Sequence, residues 1–336
     1  MLALVLFLLA EGPTPTAPAP RADAVAAAPA GPSTSAFDPE ASKRAEQVAA
    51  KLPAARHALR EARLAAAALK DPPLRAAVEA QLAAPWLPEG AWVYAHPAEA
   101  ETKLRALGLL DAGTSLAALL PKPGHGSFAS AAGGPCPTGH HGYPGGLAVH
   151  SWANLLHARG LAAAYHDAYG ITLDDGWLVA AALWHDTLKS VTLPWDAAGR
   201  CPSTEAQLAG TALHHPLGLA AAILRRLPRP LIWVIAASHA PITAEKLGAV
   251  CGWIQAAGIL AKGDPNAVAC PSLDPKASRP PVESYVNHFA DADFSFTVPV
   301  SQWYAAQTPE GWARYDALVQ DGSDVAAWFK AQAHEK

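Results

Sequence analysis

The sequence contains no block of lysine or arginine, and its formal net charge is -4. Nucleic-acid binding needs clustered cations that neutralise phosphates, so we expect no nucleic-acid partner and instead a small-molecule one. Runs of β-branched residues are also scarce, whereas alanine and leucine are abundant and apolar residues recur every three or four positions. Residues of this type at this spacing favour helices, so the sequence predicts an all-α protein.

The sequence also lacks a CxxC pair, because its four cysteines lie far apart, which argues against a zinc ribbon. In an exported protein these cysteines could form two disulfides, with three connectivities possible. We favour Cys136 with Cys201 and Cys251 with Cys270, because the first pair would join two loops beside a histidine cluster. In a cytosolic protein the same residues would be reduced and mostly buried thiols.

The N-terminal apolar run is too short to form a stable membrane span. Residues 1–12, MLALVLFLLAEG, instead have the length of a signal-peptide hydrophobic region, although the usual preceding positive residue is missing. Residues 13–37 are rich in Pro, Ala, Thr and Ser, which predicts a disordered linker. We therefore expect an exported or periplasmic protein, with a cytoplasmic protein as the alternative.

The rest of the chain divides into three predicted parts. Residues 38–138 carry helical segments that end at Pro53 and at Pro72, followed by a long Gly/Pro-rich loop. Residues 139–300 contain most of the histidines and are predicted to form the functional domain. Residues 301–336 predict two amphipathic C-terminal helices that pack on this domain.

The polar end of a buried helix carries the clearest chemical signal. The segment DGWLVAAALWHDTLK is apolar until His185 and Asp186. An unpaired buried charge is very costly, so we expect these side chains to bind a ligand. The Asp186 carboxylate has two oxygens and could bridge two metal ions while His185 ligates one of them. Lys189, one turn later, could hold an anionic oxygen of a substrate.

Neighbouring segments supply further candidate ligands at predicted helix ends and in polar motifs. These are His150, His214, His215, His239, Asp291 and Asp293. The segment from Thr204 to Pro228 is predicted to be one helix, on which only one of the adjacent His214 and His215 can point inwards. Two loop histidines, His140 and His141, could line the pocket.

The motifs GYPGGLAVH, HDTLK, HHPLG, SHAP and HFADAD together resemble the HD-domain superfamily of metal-dependent phosphohydrolases. They cover about half the chain. The resemblance implies a helical HD-domain bundle in which His150, His185, Asp186 and Asp291 hold one metal ion. Asp291, rather than Asp293, matches the final acid of the family by its place in HFAD.

Members of this family with two intermediate histidines hold a second metal ion, which the HD aspartate bridges. The resemblance therefore implies a dinuclear centre that also uses His239 and either His214 or His215, with the spacing to Gly218 favouring His214. The chain departs from the usual HD-Ile-Gly-Lys pattern, because it has Thr187 and Leu188 between Asp186 and Lys189. This departure puts the shape of the substrate pocket in doubt.

Four histidines and two carboxylates suit two divalent transition-metal ions, whether Fe, Mn, Co, Ni or Zn. As a phosphohydrolase, the protein would cleave a small, anionic phosphate ester by attack of a hydroxide that bridges the two ions. Asp186 would hold both ions and Lys189 would neutralise charge on the phosphoryl oxygens. His140 or His141 could assist the leaving group.

Two other functions fit the same residues. HD-fold di-iron oxygenases, which resemble myo-inositol oxygenase, use the same six ligands to cleave a carbon bond with dioxygen. A non-catalytic binding module is the third alternative, and it predicts that substitution of His185 or Asp186 leaves function intact. We favour hydrolysis because the hydrolases are commoner. The sequence makes no prediction of the oligomeric state.

Overall fold

The computed structural model describes residues 37–136, 140–274, 276–277 and 279–291. These residues are mostly helical, which confirms the prediction of an all-α protein at this level. The predicted signal peptide, nearly all of the predicted linker, Asp293 and the predicted C-terminal helices lie outside the described residues. None of the described helices combines the length and the apolar character needed to cross a bilayer.

Prolines begin the three N-terminal helices. Helices α1 (Pro39–Ala49), α2 (Pro53–Ala67) and α3 (Pro72–Ala83) each have proline in the first turn, where the missing N–H costs no hydrogen bond. The Asp38 carboxylate caps α1 and the Asp71 carboxylate caps α3. The predicted helical segments before Ala84 are therefore confirmed.

Short helices and loops lead from α3 to the histidine-rich segment. Helices α4 (Trp92–Ala95), α5 (Pro97–Ala106) and α6 (Leu116–Leu119) follow, and the next helix begins at Gly146. Buried side chains of this part, such as Val93 and Leu104, share one core with the later helices. The predicted boundary between residues 138 and 139 stays a prediction.

Seven helices form the C-terminal part of the described chain. They are α7 (Gly146–Tyr169), α8 (Asp175–Trp184), α9 (Lys189–Thr192), α10 (His214–Leu224), α11 (Arg229–Ala236), α12 (Leu247–Lys262) and α13 (Glu283–Ala290). Helix α8 is apolar on every side because it packs against α2, α3, α7, α11 and α13. Helix α10 is similarly enclosed, chiefly by α12 and α11. The polar residues at the ends of α8 and α10 therefore lie deep in the protein.

A β-hairpin corrects the prediction of one helix from Thr204 to Pro228. Strands β1 (Gln207–Leu208) and β2 (Thr211–Ala212) pair antiparallel, and helix α10 begins only at His214. Ala209 and Gly210 form the turn with φ values of 56° and 72°, a conformation typical of tight hairpins. The helical prediction was wrong here because the apolar spacing of this segment does not report the turn.

Two disulfides join segments of the described chain. Cys136 pairs with Cys201 at an S–S distance of 2.02 Å, and Cys251 pairs with Cys270. These are the two pairs that the sequence analysis favours. The first links the loop before α7 to the loop before the hairpin, and the backbone N–H of Cys136 also donates to the Pro202 carbonyl at 2.9 Å.

Candidate metal centre

A close approach of the backbone begins helix α7 and thereby places His150. Gly145 has a φ of 83°, which glycine adopts readily, and a Cβ at Gly146 would overlap the carbonyl oxygen of His141. Helix α7 can start here because both positions are glycine. His150 and Asn154 then lie on successive turns of the buried face.

The end of helix α8 brings His185 and Asp186 to the same space. The chain leaves the helix after Trp184, and the backbone N–H of Lys189 donates to the Asp186 carbonyl at 2.9 Å. His185 Nε2 lies 3.4 Å from Asp186 Oδ2, although adjacent residues within a helix point about 100° apart. The break in the helix therefore lets neighbouring side chains converge.

The first group of donor atoms comes from three helices. His150 Nε2 lies 3.1 Å from Asp186 Oδ2 and 3.0 Å from Asp291 Oδ1, and His185 Nε2 lies 3.2 Å from Asp291 Oδ1. Asp291 follows the last residue of α13. Asn154 Nδ2 donates to Asp291 Oδ1 at 2.8 Å and so fixes this carboxylate. These four residues could hold one metal ion.

The second group uses the other oxygen of Asp186. His214 Nε2 lies 3.0 Å from Asp186 Oδ1, and His239 Nε2 lies 3.2 Å from the same oxygen. His214 is the first residue of α10, and His239 follows the end of α11. The Asp186 carboxylate thus faces one set of nitrogen donors with each oxygen.

The spacing and bonding of these atoms fit a cation between them. Six donors at about 2.1 Å from an octahedral ion lie about 3.0 Å from their neighbours, close to the separations in both groups. Asp186 Oδ1 and His214 Nε2 are buried and make no hydrogen bond to a described residue, although they lie 3.0 Å apart. Two buried polar atoms this close together are an arrangement expected of ligands to a common cation.

Glu205 supports His214 and is the site residue that sequence reasoning missed. Its carboxylate lies 2.8 Å from His214 Nδ1 and accepts the His214 backbone N–H at 2.7 Å. Burial alone would lower the pKa of His214, but the charges of Glu205 and Asp186 outweigh it and raise that pKa to about 9. The centre therefore favours a positive charge beside Asp186. The sequence placed Glu205 in the first turn of the helix predicted from Thr204 to Pro228, and so gave no signal that its side chain contacts His214.

Lys189 is turned into the protein. Its ammonium donates to Asp186 Oδ2 at 2.5 Å and to the Gly133 carbonyl at 2.7 Å. Burial raises the pKa of Asp186, but electrostatic interactions with His185 and Lys189 outweigh it and hold that pKa well below its usual range. Two of the three N–H groups of Lys189 are thus used to fix the bridging carboxylate and a loop.

The remaining predicted site residues lie around these two groups. His215 is buried but belongs to neither donor group. Its ring instead packs between those of His239 and Trp253, at centroid distances of 4.5 Å and 4.7 Å. Both His214 and His215 are buried, so the prediction that only one could point inwards was wrong. Their burial follows from the enclosure of α10 on all sides.

His140 and His141 approach the centre from the loop before α7. With His150 they form a third group whose donor atoms lie within 4.8 Å of one another. His141 Nδ1 lies 3.0 Å from the Tyr143 hydroxyl, which orients the ring. Burial, followed by the charge of His150, lowers the pKa of His140 well below its usual range.

Solvent reaches the centre at His239 and Asp291. The side chains of His239 and Asp291 are 20% and 17% exposed, whereas those of His150, His185 and Asp186 are fully buried. A ligand from solution would therefore meet His239 and Asp291 first.

No family model, curated protein or solved structure matches the chain. The site is thus characterised by its own geometry: a buried set of histidine and aspartate donors, close enough to bind metal, at the meeting point of α7, α8, α10, α11 and α13.

Proposed function

We propose that this protein is a dinuclear metal-dependent phosphohydrolase of the HD-domain superfamily that acts on a small, anionic phosphate ester. The observation that carries the proposal is the Asp186 carboxylate, each of whose oxygens faces a different set of histidine nitrogens. His150, His185 and Asp291 would complete the first metal position, and His214 and His239 the second. His215 is left out of the ligand set because it belongs to neither donor group and its ring packs against Trp253.

The charge of the centre supports an anionic substrate. With the histidines neutral, as metal ligation requires, Asp186, Asp291 and Glu205 together with the ammonium of Lys189 give the centre a formal charge of -2. Buried charge is stable only when it is compensated, and two divalent cations would leave the centre positive. A phosphate ester would be attracted to that charge at the side where His239 and Asp291 meet solvent.

Each side chain has a role in this proposal. Two bound ions would supply a hydroxide nucleophile near neutral pH and neutralise phosphoryl oxygens. Asp186 holds both positions together, and Lys189 orients Asp186 through its 2.5 Å hydrogen bond. Contact of Lys189 with a substrate oxygen stays a prediction, for which one N–H of its ammonium is left. Assistance to the leaving group by His140 or His141 stays a prediction also.

The two disulfides support our further proposal that the chain is exported, because such bonds persist in oxidising compartments. Isolation from the native cell, followed by fractionation and thiol labelling before and after reduction, tests this. Labelling of all four cysteines without reduction would contradict it.

Metal analysis combined with a substrate screen tests the enzymatic proposal. Protein purified without added iron should contain about two transition-metal ions per chain. It should also release phosphate from one class of phosphomonoesters or phosphodiesters in a reaction that a chelator abolishes. Asp186→Asn should lose both ions, whereas His215→Gln should keep them.

The same experiment separates the alternatives. Stoichiometric iron with substrate-dependent oxygen consumption and no phosphate release would replace hydrolysis by the HD-fold oxygenase function. Retention of the native biological function by both His185→Ala and Asp186→Ala would instead indicate a non-catalytic binding module.

A further inference from the structure

A chain of buried hydrogen bonds ties the turn that carries His185 and Asp186 to the N-terminal helices. Gln81 on α3 donates from Nε2 to the Thr187 hydroxyl at 3.1 Å, and this hydroxyl donates to the Trp184 carbonyl at 2.9 Å. Gln81 and Thr187 are both fully buried. A buried side-chain amide is rarely kept in a core unless its groups are bonded. Gln81 therefore helps to hold the turn in place through its bond to Thr187.

Arg225, which follows the last residue of α10, extends this series of hydrogen bonds beyond Gln81. Its Nε donates to Gln81 Oε1 at 2.9 Å, and its Nη2 donates to the Ala80 carbonyl at 3.4 Å. Arginine has no acceptor, so the oxygen of Gln81 must face Arg225 and its amide N–H must face Thr187. Within the described chain Arg225 makes no ion pair that would compete for this orientation.

These bonds join three elements that bear on the metal centre. Helix α10 begins with His214, the turn after α8 carries His185 and Asp186, and α3 packs against α8. The Thr187 hydroxyl accepts a hydrogen bond from Gln81 on α3 and donates one to the Trp184 carbonyl in the last turn of α8. An apolar side chain of similar size would pack at this position but could not accept the N–H of Gln81.

We propose that Thr187 is a positioning residue of the metal centre, held by Gln81 and Arg225. This series of hydrogen bonds fixes the turn so that Asp186 faces His150 and His214 at the same time. The inference rests on the proposed function insofar as the centre must bind metal. It assigns to helix α3 a part in ligand geometry, through a residue that belongs to none of the donor groups.

Titration of the metal-free full chain with Mn²⁺, followed by calorimetry, tests the inference. Thr187→Val keeps the shape of the side chain but leaves the Gln81 amide without its acceptor. We expect it to weaken Mn²⁺ binding about tenfold, the usual scale for residues that orient ligands. Thr187→Ser restores the hydroxyl and should bind within about twofold of the wild-type chain.

Thr192→Val is the matched control. Among the described residues, the Thr192 hydroxyl donates to the carbonyl of Leu188, the residue before α9, at 3.3 Å, so its loss should leave Mn²⁺ affinity unchanged. The visible absorption of bound Co²⁺ gives a second measurement, independent of turnover, that reports ligand geometry. It should change in Thr187→Val and not in Thr192→Val.

If Thr187→Val does not fold, judged by circular dichroism, Arg225→Met removes the partly exposed end of the chain. This variant should bind Mn²⁺ about threefold more weakly than the wild type, because the Gln81 amide loses its fixed orientation. If the variants that fold bind Mn²⁺ as tightly as the wild-type chain, the inference is overturned. It is also overturned if Thr187→Val and Thr187→Ser lose Mn²⁺ affinity to the same extent. Neither result would overturn the proposed metal centre itself. Absence of Mn²⁺ binding by the wild-type chain overturns the proposed metal centre as well.

Discussion

At the scale of single residues, the adjacent pair His214 and His215 shows how position on a helix decides which side chain joins a donor group. His214 is the first residue of α10 and turns Nε2 towards Asp186, whereas His215 turns its ring towards Trp253. We predict that His214→Gln retains about one metal ion per chain and His215→Gln about two, because only His214 belongs to a donor group. Elemental analysis of the purified variants measures this. Loss of one ion from His215→Gln alone would reverse the assignment.

Glu205 is expected to set the strength of the second metal position. A carboxylate on Nδ1 holds the tautomer that leaves Nε2 available and makes the ring a stronger ligand. Glu205→Gln keeps a polar group of the same size but removes the charge. Binding of the second Mn²⁺ ion should weaken about tenfold, as measured by calorimetric titration.

Glu283→Gln is the control for this change. Glu283 is also buried and accepts a backbone N–H, that of Asp174 at 2.8 Å, but it lies at the opposite end of α13 from Asp291. Its substitution should not alter metal affinity. Equal effects of the two substitutions would mean that buried charge in general, and not contact with His214, controls binding.

At the scale of elements, the start of α7 depends on a glycine that cannot carry a side chain. We predict that Gly146→Ala destabilises the protein by about 3 kcal/mol, because the new Cβ meets the His141 backbone and has no room to move. Gly160→Ala lies in the same helix with open space around it and should stabilise the protein by about 0.5–1 kcal/mol. Urea denaturation measures both. A similar loss of unfolding free energy in both variants would contradict the prediction that the close approach of His141 is what excludes a side chain at Gly146.

The helices could be predicted from sequence wherever local chemistry decides them. Prolines begin α1, α2 and α3, and the apolar run of α8 ends at His185, where the sequence places its change to polar residues. The hairpin before α10 could not be predicted, because its turn uses Ala209 and Gly210 without a distinctive pattern around them. Local propensity is weak where tertiary contacts enclose a short segment.

The candidate ligands could be predicted, but the residues that support them could not. His150, His185, Asp186, His214, His239 and Asp291 lie together as the motifs indicated. The contact of Glu205 with His214 and the bond of Lys189 to the Gly133 carbonyl depend on how distant loops fold against α8 and α10. Such contacts are set by packing, which residue spacing does not report. For the same reason, the sequence gave no signal for the pairing of Gln81 with Thr187.

At the scale of the whole molecule, the two disulfides should contribute unequally to stability. The sequence separation is 65 residues for Cys136 and Cys201 but 19 for Cys251 and Cys270. Closing a longer loop removes more entropy from the unfolded chain, so replacing the first pair by alanine should cost about 4 kcal/mol and the second about 3 kcal/mol. Urea denaturation of the metal-free variants measures this without a contribution from metal loss. A larger cost for the second pair would contradict this entropic account.

The spread of the first donor group along the chain has a consequence for biosynthesis. His185 and Asp291 lie 106 residues apart in sequence. A ribosome that adds 5–20 residues per second therefore exposes His185 roughly 5–20 s before Asp291 exists. The four-residue position cannot be complete until nearly the whole described chain has been made. An ion held by all four residues would therefore bind only after this much of the chain has been made, and the metal supply of the compartment where folding finishes would determine which ion the position holds.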